Sequence, residues 1–142
     1  MKSILISACL LGVCCRYDAQ SVTYPKIEEL RERFKLIPFC PEIYGGLPTP
    51  RIPAERRGDR VVNAHGDDVT ENYQRGASEA LRIARMMECD VAILKERSPS
   101  CGSNYIYDGT FERRLISGVG VTSELLMKNG IRVFSENDID KV

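Results

Sequence analysis

Six cysteines in a chain of 142 residues are the groups that most need a chemical explanation. They stand at positions 9, 14, 15, 40, 89 and 101, and no Cys-x-x-Cys pair occurs among them. That spacing argues against zinc ribbons and thioredoxin-like dithiols, which use closely spaced pairs. Thiolate sulfur still suits zinc or iron–sulfur clusters, while a buried thiol can serve simply as a small apolar side chain. Which reading applies depends on what brings the cysteines together. Histidine chemistry has one candidate only, His65, and it lies in Asn63-Ala64-His65-Gly66-Asp67-Asp68, which reads as a turn.

Four apolar runs have strand length: residues 3–8, 35–39, 90–94 and 131–134. The first is continuous rather than alternating, as in a strand covered on both faces. Pro38 weakens the second, because proline cannot donate to a ladder. Helical spacing marks residues 25–34, with Ile27, Leu30 and Phe34 on one face and Pro25 in the first turn. It also marks residues 71–88, where Tyr73, Ala77, Ala80, Leu81, Ala84 and Met87 recur at intervals of three and four. Asp68 and Glu71 stand as a capping box to that helix. A third helix, residues 122–128, stops at Asn129-Gly130. Gly118-Val119-Gly120 reads as its tight entry, with no clear strand before it. Residues 41–66 read as one long irregular loop. Pro41, Gly45, Gly46, Pro48, Pro50 and Pro53 exclude helix and central strand from its first half. Strand and helix thus alternate, which predicts one α/β domain over residues 1–142. The expected form is three-layered and Rossmann-like, with a mainly parallel sheet and helices on both faces.

A parallel sheet gathers its carboxyl strand ends at one edge, where ligands bind. Cys9, Cys40 and Cys101 each fall just beyond a predicted strand, so three cysteines remote in sequence are expected to meet there. Cys89 precedes a strand and belongs to the opposite edge as a packed hydrophobe. Cys14 and Cys15 lie further along the first crossover loop. Three converging thiolates admit a zinc site, or a [4Fe–4S] cluster lacking its usual fourth cysteine and so keeping one iron open. Twenty basic residues balance twenty acidic ones, which excludes a strongly basic binder of nucleic-acid polymers. A local cluster can still hold a nucleotide-sized anion. The apolar stretch before Cys9 is too short for a secretory core of about 7–15 residues. No run approaches the roughly 18 apolar residues of a membrane span. A cytoplasmic protein is therefore expected, in which clustered cysteines are metal ligands or redox groups rather than disulfides.

Several segments are familiar in combination. Ser7-Ala8-Cys9-Leu10-Leu11-Gly12, Cys15-Arg16-Tyr17-Asp18, Cys40-Pro41-Glu42, Gly45-Gly46-Leu47-Pro48-Thr49-Pro50-Arg51, Asp68-Val69-Thr70 and Ser98-Pro99-Ser100-Cys101-Gly102 resemble the thiouracil desulfurase family, in its order and over nearly the whole chain. Ala19 is the one oddity, standing at a turn where glycine is expected. The resemblance implies a [4Fe–4S] cluster held by Cys9, Cys40 and Cys101. It further implies removal of sulfur from a small-molecule thiolated uracil, base or nucleotide, with release of hydrogen sulfide. In that scheme the substrate sulfur binds the open iron and water attacks the carbon.

Glu42, two residues after Cys40, can reach such a site, and the resemblance makes it the acid/base. Ser100 is a second catalytic candidate. Ser98, Arg16 and Arg51 are candidates for holding substrate, since arginine offers a planar bidentate fork. Ser103 and Asn104 are weaker donors, and Arg56-Arg57 is a candidate for the entrance. Two other readings stand beside this one: a non-catalytic metal-binding or sulfur-carrying module, and a metal-free thiol redox protein using Cys14 or Cys15.

Overall fold

Ile4, Leu5 and Ile6 cannot all face one way in a strand, because successive side chains alternate. The computed structural model, which describes residues 1–20, 24 and 26–142, covers both faces. In chain order the elements are β1 (Ser3–Ser7), a 3-10 turn (Ala8–Leu10), α1 (Ile27–Arg33), β2 (Lys35–Phe39), α2 (Pro41–Tyr44), β3 (Ala54–Arg57) and β4 (Arg60–Asn63). There follow α3 (Thr70–Met86), β5 (Val91–Leu94), β6 (Tyr105–Tyr107), β7 (Leu115–Ser117), α4 (Val121–Lys128), β8 (Arg132–Ser135) and a closing 3-10 stretch (Glu136–Lys141).

The main sheet is wholly parallel, in the order β2-β1-β5-β8. Ile4, Ile6, Val91 and Ile93 point to one face, where Ile27 and Leu30 of α1 and Ile139 cover them. Leu5, Ala92 and Leu94 point to the other, against Ala80 and Ala84 of α3 and Leu126 of α4. This is the expected three-layer α/β arrangement, and the four strands fall within one residue of their expected bounds. Pro38 sits in an edge strand, the one place in a sheet where a missing donor costs little. Pro25 lies outside the described residues.

Three expectations need correction. The segment 41–66 is not irregular throughout. Pro41 opens a helical turn from the N1 position, where its missing N–H is no loss, and extended Cys40 precedes it. Residues 54–63 form an antiparallel hairpin whose two-residue turn starts at Gly58, φ +58°. Its Ala-Glu-Arg-Arg strand is charged and half-exposed, so it carries no apolar alternation to read. A second ribbon pairs β6 with β7, so the entry to α4 does follow a strand, one exposed at every residue. The capping box is only half made: Asp68 Oδ1 accepts from the Thr70 N–H at 2.9 Å, and Glu71 makes no reciprocal bond.

The order β2-β1-β5-β8 reverses direction between β1 and β5, and such a switch point opens a crevice at the carboxyl ends of the strands. The Ser7 hydroxyl, at the end of β1, accepts from the Lys95 N–H just past β5 at 2.9 Å, fixing the two ends relative to each other.

Candidate active site

A cavity of about 530 Å³ occupies that crevice, within the usual range for small-molecule sites. Cys9 enters from the 3-10 turn after β1, Cys40 from the junction of β2 and α2, and Cys101 from the loop after β5. The three cysteines grouped from strand position thus line one cavity. Cys89 lies just before β5 and packs with Leu126 and Ile131 in the core under α3 and α4. Cys14 is exposed.

Cys15 is the cysteine whose position the sequence did not reveal. It is buried and lines the cavity beside Cys9 and Cys40. Its carbonyl also accepts from the Cys40 thiol at 3.7 Å. Contact with Cys40 favours its thiolate, but contact with Cys9 and burial outweigh this and push Cys15 up to about 11. Sharing with Cys15 and burial push Cys40 upward too. Burial, reinforced by the charge of Glu42, takes Cys101 up to about 12. Among the described residues, no three His, Cys, Asp or Glu side chains converge tightly enough for a single metal ion.

Glu42 is the second residue of α2 and reaches the same cavity. Its Oε2 accepts from Arg51 Nε at 2.7 Å and from the Tyr73 hydroxyl at 3.2 Å. Among the described residues, its Oε1 accepts only a long 3.5 Å contact, from the Ser98 hydroxyl. Tyr73 comes from α3, which reads in sequence as a core face and gives no sign of a polar task. Two glycines explain how a helix approaches so closely. A Cβ on Gly76 would collide with the Pro41 carbonyl, and one on Gly45 with the Asn72 carbonyl.

Two candidates occupy places other than those expected. Ser100 is fully buried and its hydroxyl is bonded to Thr122 at 2.7 Å, so it is turned toward α4 rather than into the cavity. Ser98 is the serine that faces Glu42, and it also accepts from the N–H groups of Ser100 and Cys101. Arg51 lines the cavity but is already engaged. Besides Glu42 it donates to Pro48 O, Thr49 Oγ1 and Cys15 O, at 3.2, 3.2 and 2.9 Å. Four of its five N–H groups are thereby committed, which makes it part of the wall rather than a free grip on substrate.

Arg16 does stand at the cavity mouth with Arg97 and Arg113, and none of the three has an acidic ion-pair partner among the described residues. Phe111 and Arg113 hold positive φ of 60° and 59°, conformations that persist only where neighbours impose them. At Phe111 Glu55 does so, its Oε1 accepting from the N–H groups of Gly109 and Phe111 at 3.0 and 3.1 Å. Arg56 and Arg57 are tied down, to Glu124 and Val119 O and to Gly109 O, rather than poised at an entrance. Ser103 and Asn104 donate their N–H groups to Glu96, and His65 lies on an exposed turn.

Fold and site together define a doubly wound α/β protein whose ligand cavity is lined by the thiols of Cys9, Cys15, Cys40 and Cys101 and by glutamates, Glu42 among them. The chain belongs to the 2-thiouracil desulfurase family, whose pattern it matches over residues 4–138. It is 44% identical over 149 aligned positions to YbbK, an uncharacterized protein of Bacillus subtilis (strain 168), covering 98% of this chain and 99% of that one. Among solved structures it resembles TudS, a [4Fe-4S]-dependent thiouracil desulfidase. That likeness has a TM-score of 0.94 at 46% identity, over 99% of this chain and 95% of the other.

Proposed function

We propose that the protein removes sulfur from a thiolated uracil, as base or nucleotide, in a reaction that depends on a [4Fe–4S] cluster. The observation that carries this reading is the meeting of Cys9, Cys40 and Cys101 with Glu42 in one cavity, in a chain of this family. The donor set fits such a group. Three soft thiols converge from three separate elements, and binding to a cation removes the protons that burial would otherwise retain. A cluster takes one thiol per iron, so it needs no single point of convergence. When bound by three cysteines it would supply a soft Lewis acid for the substrate sulfur at the remaining iron.

The chain's own residues supply the rest. The overall change is thiouracil plus water giving uracil plus hydrogen sulfide, with no net oxidation or reduction. The carbon–sulfur bond breaks, a carbon–oxygen bond replaces it, and both hydrogens of the water end on sulfur. Glu42 Oε1 takes a proton from the attacking water and returns it toward the departing sulfur. Ser98, beside that oxygen, orients the water or the ring carbonyl. Arg16 receives the anionic end of a nucleotide at the mouth. Six free cysteines favour a reducing compartment, the cytoplasm, and no helix among the described residues is long and apolar enough to cross a membrane.

The test is direct. Protein purified without oxygen should carry iron and sulfide in equal amounts and convert 2- or 4-thiouracil, or the nucleotide, to the oxo form with stoichiometric hydrogen sulfide. Loaded protein that turns over none of these would overturn the reading in favour of a non-catalytic module.

A further inference from the structure

The two oxygens of Glu42 are treated unequally. Oε2 accepts from both Arg51 Nε and Tyr73 Oη, at 2.7 and 3.2 Å. A carboxylate oxygen has two lone pairs, so Oε2 is saturated by protein. Among the described residues, Oε1 has only the 3.5 Å contact from Ser98. Neither donor is free to drift. Tyr73 is 2% exposed within α3, and the glycine contact at Gly76 sets its distance from α2. Arg51 is 5% exposed along its side chain and held by three further acceptors, one of them the carbonyl of Cys15.

We propose that Arg51 and Tyr73 are positioning residues that lock Glu42 through Oε2 and leave Oε1 as the one oxygen presented to water and substrate. The inference rests on reading Glu42 as the reacting acid/base. Without Tyr73 the carboxylate keeps a single anchor and can tilt about its last bond, swinging the reacting oxygen out of line. A displacement of about 1 Å at a reacting group can cost up to about 100-fold in rate. The same two residues connect the Cys15 loop, the α2 turn and α3, so the orientation of Glu42 is set by three segments at once.

Tyr73→Phe keeps the buried ring and deletes only the hydroxyl, so the fold should persist, as checked by thermal melting and by an unchanged cluster spectrum. In anaerobically loaded enzyme kcat should fall roughly 10-fold to 100-fold with KM for the thiolated base unchanged. A crystal structure of the variant should show the Glu42 carboxylate in more than one orientation. Made in a Glu42→Gln background, the same change should leave the residual rate where it was, because its route of action is gone. Arg51→Lys, which keeps the charge but cannot span Glu42 and the Cys15 carbonyl together, should behave like Tyr73→Phe. Wild-type kcat in Tyr73→Phe beside a crippled Glu42→Gln overturns the inference and leaves the acid/base reading standing. Equal losses from Tyr73→Phe in both backgrounds place its role elsewhere and overturn the inference as well. A fully active Glu42→Gln overturns both.

Discussion

Cys89 and Cys101 are both buried free thiols, each 5% exposed, so burial alone does not tell structural from functional cysteine. Surroundings do: Cys89 packs with apolar side chains and lies outside the cavity, whereas Cys101 lines it together with Cys9, Cys15, Cys40 and Glu42. Cys89→Ala should therefore keep full iron content at a cost of order 1–2 kcal/mol in denaturant unfolding. Cys101→Ala should lose the iron, as measured by metal analysis under anaerobic conditions. Glu42→Gln separates geometry from proton transfer. The amide nearly matches the carboxylate in shape but cannot take a proton. The cluster spectrum should survive while turnover falls by about 10²–10⁴-fold.

At the level of elements, the site depends on how closely α2 and α3 approach. Gly76→Ala places a methyl group against the Pro41 carbonyl, and rigid backbone cannot yield as a flexible side chain does. The α2 turn, with Cys40 and Glu42 at its start, must move. Overpacking of this kind costs typically 1–3 kcal/mol. Both melting temperature and kcat should fall, with helix content retained by circular dichroism. The loop after β5 depends instead on Glu96, a buried carboxylate whose Oε1 accepts from the N–H groups of Ser103, Asn104 and Tyr105. Although burial opposes its charge, these bonds and the Asn104 side chain hold its carboxyl below the ordinary glutamate range. A group depressed on folding stabilises the protein above its unfolded value and loses that contribution as pH falls through the folded one. Glu96→Gln should thus be less stable at neutral pH by about 1.5–3 kcal/mol, the range for hydrogen bonds to a charged group. The gap to wild type should close in urea titrations taken below the ordinary carboxylate range.

For the molecule as a whole, the two apolar cores lie on either face of the sheet, while the three thiol-bearing segments converge at its edge. Removing iron by chelation should leave far-ultraviolet circular dichroism unchanged and lower the melting temperature, since a ligand bound only by the folded state stabilises it. The arginines at the mouth predict a second global property. A thiouridine monophosphate should show a lower KM than the free base, and added salt, by screening the phosphate contact, should narrow the difference. Arg16→Ala should remove most of that advantage, in steady-state kinetics with both substrates.

The sheet, the faces of its helices and the grouping of Cys9, Cys40 and Cys101 were all readable along the chain. These follow from rules that act along the chain: side-chain alternation, helical spacing, and the placing of ligands at the carboxyl ends of parallel strands. Glu42 was legible because two residues of chain tether it to Cys40. The entry of Cys15 into the site, the turning of Ser100 toward Thr122, the commitment of Arg51 and the bond from Tyr73 to Glu42 emerge only once the elements pack. Tyr73 shows the reason. Its ring satisfies the helical pattern whatever its hydroxyl does, and the hydroxyl's partner stands 31 positions away. Spacing encodes which face a residue occupies; which polar atom meets which is settled by packing between elements, here by two glycines that let two backbones touch.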